Sequence, residues 1–210
     1  MQASLSLSFA HRLGITPMSV ASDGSVYYTI NGGNAAAGEI ERYNLSGSFL
    51  DSVLTNQDSR TLVRNNANGQ YYTKNYGRDW FQVNPSTGVL TAVHTGIFSQ
   101  NQSSPALTPD GTTIFENYSG TVNVIDASSG GTIRTLTGLV GTYDVATDGY
   151  YIFAWIASSR TVHVYDFQGN ELTNFTIPSG SNGYSLSYAN GLLWAEGSGV
   201  WYGYRLTVVP

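Results

Sequence analysis

The sequence predicts an all-β fold, a single five-bladed β-propeller with four antiparallel strands per blade. Three observations carry that prediction. A turn dipeptide recurs five times at nearly constant spacing, each copy leads into an apolar strand-like run, and no useful stretch keeps helical periodicity. The dipeptides are Asp23-Gly24, Asn68-Gly69, Asp110-Gly111, Asp148-Gly149 and Asn190-Gly191, with glycines 45, 42, 38 and 42 residues apart. Asn-Gly and Asp-Gly suit hairpin turns because both central positions take positive φ at low cost. The strands that follow are Val26-Tyr27-Tyr28, Tyr71-Tyr72, Ile114-Phe115, Tyr151-Ile152-Phe153 and Leu192-Leu193-Trp194.

A second hairpin completes each unit. Arg42-Tyr43-Asn44, Gln82-Val83-Asn84, Val124-Ile125-Asp126 and Val164-Tyr165-Asp166 end third strands, and turn residues lead from each into a fourth. Four short strands in about 42 residues make a propeller blade. Units of 17–58, 59–102, 103–140, 141–180 and 181–210 account for the chain, but the last stops after its third strand. Its missing outer strand is expected from residues 4–13, where Leu5-Ser6-Leu7-Ser8-Phe9 alternates strictly. Closure of this kind removes an open seam with unpaired edges. The alternative is an open fragment of a longer repeat protein.

The unit motifs resemble known propeller repeats. Ser22-Asp23-Gly24-Ser25-Val26-Tyr27-Tyr28 with Ile40-Glu41-Arg42-Tyr43-Asn44-Leu45-Ser46-Gly47 is similar to an NHL repeat. Blade three, with Ser104-Pro105-Ala106-Leu107-Thr108-Pro109-Asp110-Gly111 and Ser119-Gly120-Thr121-Val122-Asn123-Val124-Ile125-Asp126, resembles the YVTN type, and blade four follows it. Both types occur in bacterial proteins. The resemblance implies the propeller and leaves function open, because such repeats serve surface-layer, binding and enzymatic proteins alike. Val209-Pro210 resembles the lead-in to the tail of bacterial PEP-CTERM sorted proteins.

Composition narrows the function classes. Charged residues make up 11% of the chain, against roughly 25% in ordinary soluble domains, while aromatics reach 13% with 15 tyrosines. With no cysteine there is neither a disulfide scaffold nor thiolate-bound zinc. A net charge of −5 with one lysine, Lys74, argues against nucleic acid as partner. No apolar run reaches the ~20 residues of a membrane-spanning helix. The lysine-poor, Ser/Thr/Asn-rich chain points to a secreted or cell-surface protein whose leader has been removed; a cytoplasmic location is the alternative.

A propeller presents function on loops held by a rigid scaffold. The upper loops, between second and third strands and between blades, carry Arg60, Asn75, Tyr76, Trp80, Tyr118, Tyr143, Asp144, Trp155, Tyr184 and Glu196 as candidate ligand-binding residues. Amides, hydroxyls and rings with few charges suit a neutral polar ligand, a glycan first among them. The structural readings stand beside that one. Asn75 and Asn117 fit turns, Trp80 and Trp155 fit packing between blades, and Tyr143 with Tyr184 begin equivalent inner strands. Catalysis has less support. Paired-carboxylate glycoside hydrolysis needs two acids roughly 5 to 10 Å apart, and only Asp144 is placed on an inner strand near the top, with Asp58, Asp79 and Glu196 in loops. Asp23, Asp110, Asp148, Asp126 and Asp166 have turn roles. His11, His94 and His163 lack metal-site spacing, and no cofactor is implied. The function expected is therefore non-enzymatic ligand binding at the upper funnel. A structural or protein-interaction propeller is the alternative, and a hydrolase-like enzyme follows it.

Overall fold

The computed structural model describes residues 1–12, 16–33 and 38–207. Leu13 of the expected closing segment, Asn34, residues 35–37 of the first upper loop and residues 208–210 lie outside the described residues. All regular elements described are β-strands, in five four-stranded antiparallel sheets. Blade 1 comprises β2 (Thr16–Ser22), β3 (Val26–Gly32), β4 (Glu39–Asn44) and β5 (Phe49–Leu54). Blade 2 comprises β6 (Ser59–Arg64), β7 (Tyr71–Asn75), β8 (Trp80–Val83) and β9 (Leu90–His94). Blade 3 has β10 (Ala106–Leu107), β11 (Thr113–Tyr118), β12 (Thr121–Asp126) and β13 (Thr132–Thr137). Blade 4 has β14 (Ala146–Thr147), β15 (Ile152–Ile156), β16 (Thr161–Tyr165) and β17 (Glu171–Thr176).

Blade 5 takes β18 (Ser187–Ala189), β19 (Leu192–Gly197) and β20 (Val200–Thr207) from one end of the chain and its outer strand, β1 (Gln2–Ala10), from the other. The register runs from Gln2 opposite Thr207 to Ala10 opposite Val200. Closure is thus longer at its start than the alternation around residues 5–9 suggested. The outermost strand pair of every blade carries a register shift, at Leu5/Leu7, Arg42/Tyr43, Trp80/Phe81, Val124/Ile125 and Val164/Tyr165. Bulges of this kind sharpen the local twist, which curls each outer strand away from edge-to-edge pairing.

The turns work by side-chain capping more than by the expected hairpin geometry. Asp23 Oδ1 accepts from Ser25 N (2.8 Å) and Val26 N (2.9 Å), and Asp148 Oδ1 accepts from Tyr150 N and Tyr151 N, both at 2.8 Å. In those turns the glycine alone has positive φ; both central residues do so only in the two-residue turn at Asn190 (φ 51°) and Gly191 (φ 74°). A four-residue loop gives the aspartate room to bond its own backbone, so the left-handed step falls to glycine.

Strand alternation sends one set of side chains to each neighbouring blade. Between blades 4 and 5, Phe153, Trp155, Leu186, Leu193 and Tyr204 pack together. Between blades 5 and 1, Phe9 from the closing strand meets Tyr43 at 4.6 Å and Trp194 at 5.5 Å between ring centroids. A Cβ on Gly47 (φ 84°) would lie 2.5 Å from Phe9 Cβ, so glycine there lets the closing strand seat against blade 1.

Candidate functional site

A belt of hydrogen bonds circles the axis and joins every pair of neighbouring inner segments. Ser19 Oγ donates to Leu62 O (3.1 Å) and accepts from Leu62 N (2.6 Å). Thr61 Oγ1 donates to Pro105 O (2.9 Å), and Ser104 N donates to Tyr143 O (2.7 Å). Leu186 N donates to Asp144 Oδ2 (3.0 Å), and Val20 N to Ser187 Oγ (2.9 Å). Five different pairings do one job: each satisfies backbone groups that an inner strand would otherwise leave unpaired along its free edge.

Asp144 is therefore the link between blades 4 and 5. It is buried, and its Oδ2 also accepts the indole N–H of Trp155 at 2.6 Å. Burial raises its carboxyl to about 7, opposed by those two donors. No second acid contributes to that shift.

The belt stops the predicted funnel near its top. Met18, Thr61, Ser104, Asp144 and Ser185, one from each blade, are all buried. Above them lies a shallow tyrosine surface. Tyr143 and Tyr184 stack at 4.9 Å with planes 5° apart, and Tyr118 tilts against Tyr143 at 6.0 Å. Arg60 joins this group, its guanidinium 5.1 Å from the Tyr76 ring centroid and 2.9 Å from Asp58 Oδ2. Tyr76 is 43% and Tyr118 38% exposed. Beneath the surface, Ser59 Oγ, Arg60 Nε and Ser104 Oγ are buried without a hydrogen-bond partner among the described residues.

The candidates thus separate. Arg60, Tyr76, Tyr118, Tyr143 and Tyr184 form the upper surface, with Asp144 beneath it. Trp80 is buried between blades 2 and 3 against Tyr72 and Phe98, and Trp155 is buried between blades 4 and 5; neither ring is open to a ligand. Asn75 folds its own turn, accepting from Asp79 N at 2.8 Å. Asn117 likewise spans loops, donating to Val140 O (3.0 Å) and Asp144 O (3.2 Å). Glu196 is buried toward blade 1 and pairs with His11 at 3.4 Å.

Three charged residues inside blade interfaces escape sequence reasoning. Glu116 accepts from Ser99 N (2.9 Å), Ser99 Oγ (2.9 Å), Gln100 N (3.0 Å), Ser103 Oγ (2.7 Å) and Asn123 Nδ2 (3.1 Å). Across the same interface Lys74 donates to Asn101 O at 2.8 Å, with burial pushing its amine down to about 7 against the charge of Glu116. Glu41 lies between blades 1 and 5, where Oε2 accepts from Tyr43 Oη at 2.6 Å while Oε1 has no partner among the described residues. Burial raises its carboxyl. The available signal was position alone: each falls on the alternation phase that points into an interface.

No protein-family model matches the chain, and no curated protein matches it. Solved structures do. Glutaminyl cyclase from Myxococcus xanthus is similar with a TM-score of 0.72 and 13% identity, over 100% of this chain and 98% of that one. BamB from Moraxella catarrhalis aligns with a TM-score of 0.48 and 15% identity, over 93% of this chain and 62% of that one. The chain thus spans less than two thirds of the length of BamB. At these identities the likeness is one of fold, a β-propeller.

Proposed function

We propose that the protein is a non-enzymatic, extracytoplasmic binding propeller that takes a neutral, hydroxyl-rich ligand, a glycan, on its upper face. The observation that carries this reading is the tyrosine surface over the stoppered funnel. Tyr76 and Tyr118 expose ring area on either side of the stacked Tyr143–Tyr184 pair, and a pyranose stacks its C–H face on such rings. Hydroxyls at the ring edges supply polar partners, while Arg60, buried and paired with Asp58, lies against the Tyr76 ring. The motif likeness to NHL and YVTN repeats, found in bacterial binding propellers among others, is consistent with this role. A low lysine count and the absence of cysteine support the extracytoplasmic placement.

Hydrolysis by paired carboxylates has no support from Asp144, whose raised value comes from burial and whose Oδ2 serves the belt. The test is a glycan array probed with the wild-type protein and with Tyr118→Ala and Tyr76→Ala. The reading expects neutral saccharides to bind and each substitution to weaken them about ten-fold, equivalent to roughly 1.4 kcal/mol. An array without binding overturns it.

A second reading has its own observation. One face of both Tyr143 and Tyr184 is spent on the other ring, which leaves rigid edges and hydroxyls outward beside an arginine. Tyrosine and arginine are enriched where proteins meet proteins. Capture of a protein partner that is lost in Tyr118→Ala, with no glycan bound, moves the assignment there.

A further inference from the structure

Below the belt the central channel opens into a cavity of about 310 Å³ facing the lower side, where the Asp-Gly and Asn-Gly turns lie. We propose that this cavity is a second binding site, distinct from the upper face, for a small aliphatic carboxylate. The ligand's alkyl chain enters first, and its head group is held at the mouth by Arg64.

The wall decides the body of the ligand. All five blades contribute, through Val20, Leu62, Ala106, Val145 and Leu186. Four of the five hydroxyl residues that line the cavity, all but Tyr188, already serve the protein. Thr61 donates to Pro105 O (2.9 Å), Thr147 to Tyr151 O (2.7 Å) and Ser22 to Val26 O (2.8 Å), while Ser187 Oγ accepts from Val20 N (2.9 Å). A sugar entering here exchanges its bonds to water for few replacements, whereas an alkyl chain loses nothing and buries apolar area. A volume near 300 Å³ lies at the lower end of the range of small-ligand pockets.

The mouth decides the head group. Arg64 lines it, donates to Asn66 Oδ1 at 2.7 Å, and has no ion-pair partner among the described residues. Of the buried side-chain polar atoms without a hydrogen-bond partner, Arg64 Nε is the one belonging to this lining. The acid at the rim, Asp148, is turned into its own loop by two backbone donors at 2.8 Å. Nε is shielded and the guanidinium lies 5.9 Å from the Tyr71 ring centroid, which leaves Nη2, without a hydrogen bond among the described residues, to meet a carboxylate.

The experiment is calorimetric titration of the intact protein with octanoate, and in parallel with 1-octanol and glucose. Octanoate is expected to bind one per chain, at least ten-fold more tightly than octanol, with no heat from glucose. Arg64→Gln is expected to weaken octanoate about ten-fold and leave octanol unchanged. Ala21→Leu and Ala106→Leu fill the cavity from different blades and are each expected to abolish both. Circular dichroism identifies whichever variant folds, and one suffices. Octanoate binding that survives a folded cavity-filling variant overturns the site, as does no binding at millimolar concentration. Equal affinity for octanol overturns the role of Arg64.

Discussion

The interface between blades 2 and 3 and that between blades 5 and 1 both hold buried charged side chains in their upper halves, and they handle them differently. Between blades 2 and 3 the carboxylate of Glu116 has five donors, and Lys74 faces it from the other side with a carbonyl at 2.8 Å. Between blades 5 and 1, His11 and Glu196 pair at 3.4 Å, but Glu41 Oε1 and Asn31 Oδ1 are buried with no donor among the described residues. The first network is satisfied and holds the long loop before blade 3 in place. The second is incomplete, and it sits where the two ends of the chain meet. A buried polar group stabilises only when paired, so the Glu116 carboxylate is well held and that of Glu41 is not, while burial still disfavours the Lys74 cation.

The largest expected effect breaks the stronger side. Glu116→Ala leaves several donors and an ammonium group buried without their acceptor, and about 3–5 kcal/mol of stability is expected to go, as when one partner of a buried ion pair is removed. Urea denaturation measures it, and Glu116→Gln should fall between wild type and alanine. The opposite sign is expected on the weaker side. Glu41→Gln removes an ionisation that burial disfavours and should raise stability at pH 8. A loss at that pH contradicts the contrast between the interfaces.

The pH profile sharpens the same comparison. Glu41 and Asp144 have raised folded-state values, Asp144 to about 7, so the folded protein holds these protons more tightly than the unfolded chain. Their contribution is complete below the ordinary carboxyl range and declines as pH climbs through the folded values. Lys74 runs the other way. Its value is depressed to about 7, so stability gains as pH rises from there toward the ordinary lysine range. Urea midpoints at pH 5, 7.5 and 9.5 should therefore show a minimum near neutrality. Asp144→Asn and Glu41→Gln should flatten the acid limb, and Lys74→Met the alkaline one. The smallest effect is expected far from both interfaces: Tyr118→Ala, exposed on the upper face, should move stability by no more than about 0.5 kcal/mol.

The fold was legible because a propeller writes its period into turn residues, and a turn requires Asp, Asn or Gly for local reasons. Asp23, Asp148 and their equivalents bond backbone within three residues, so sequence neighbours suffice to read them. The upper surface was partly legible: Tyr143 and Tyr184 occupy equivalent starts of inner segments, and their stacking follows from that equivalence. What remained hidden depends on partners far along the chain. Asp144 reads as a funnel acid until Leu186, 42 residues away, is seen to claim it. Glu116 reads as an ordinary strand residue until the loop at Ser99–Ser103 folds onto it.

One consequence of the closing strand concerns time. Gln2 pairs with Thr207, so β1, once made, has no partner until about 200 further residues have followed it from the ribosome. Synthesis at ~5–20 residues per second leaves β1 unpaired for roughly 10 to 40 seconds. Throughout that interval it is an exposed, alternating edge of the type that pairs with other chains. Ser8 lies on the side opposite Phe9, the bulge at Leu5/Leu7 brings Ser4 to the same side as Phe9, and together with Ser6 these serines keep the waiting strand half polar.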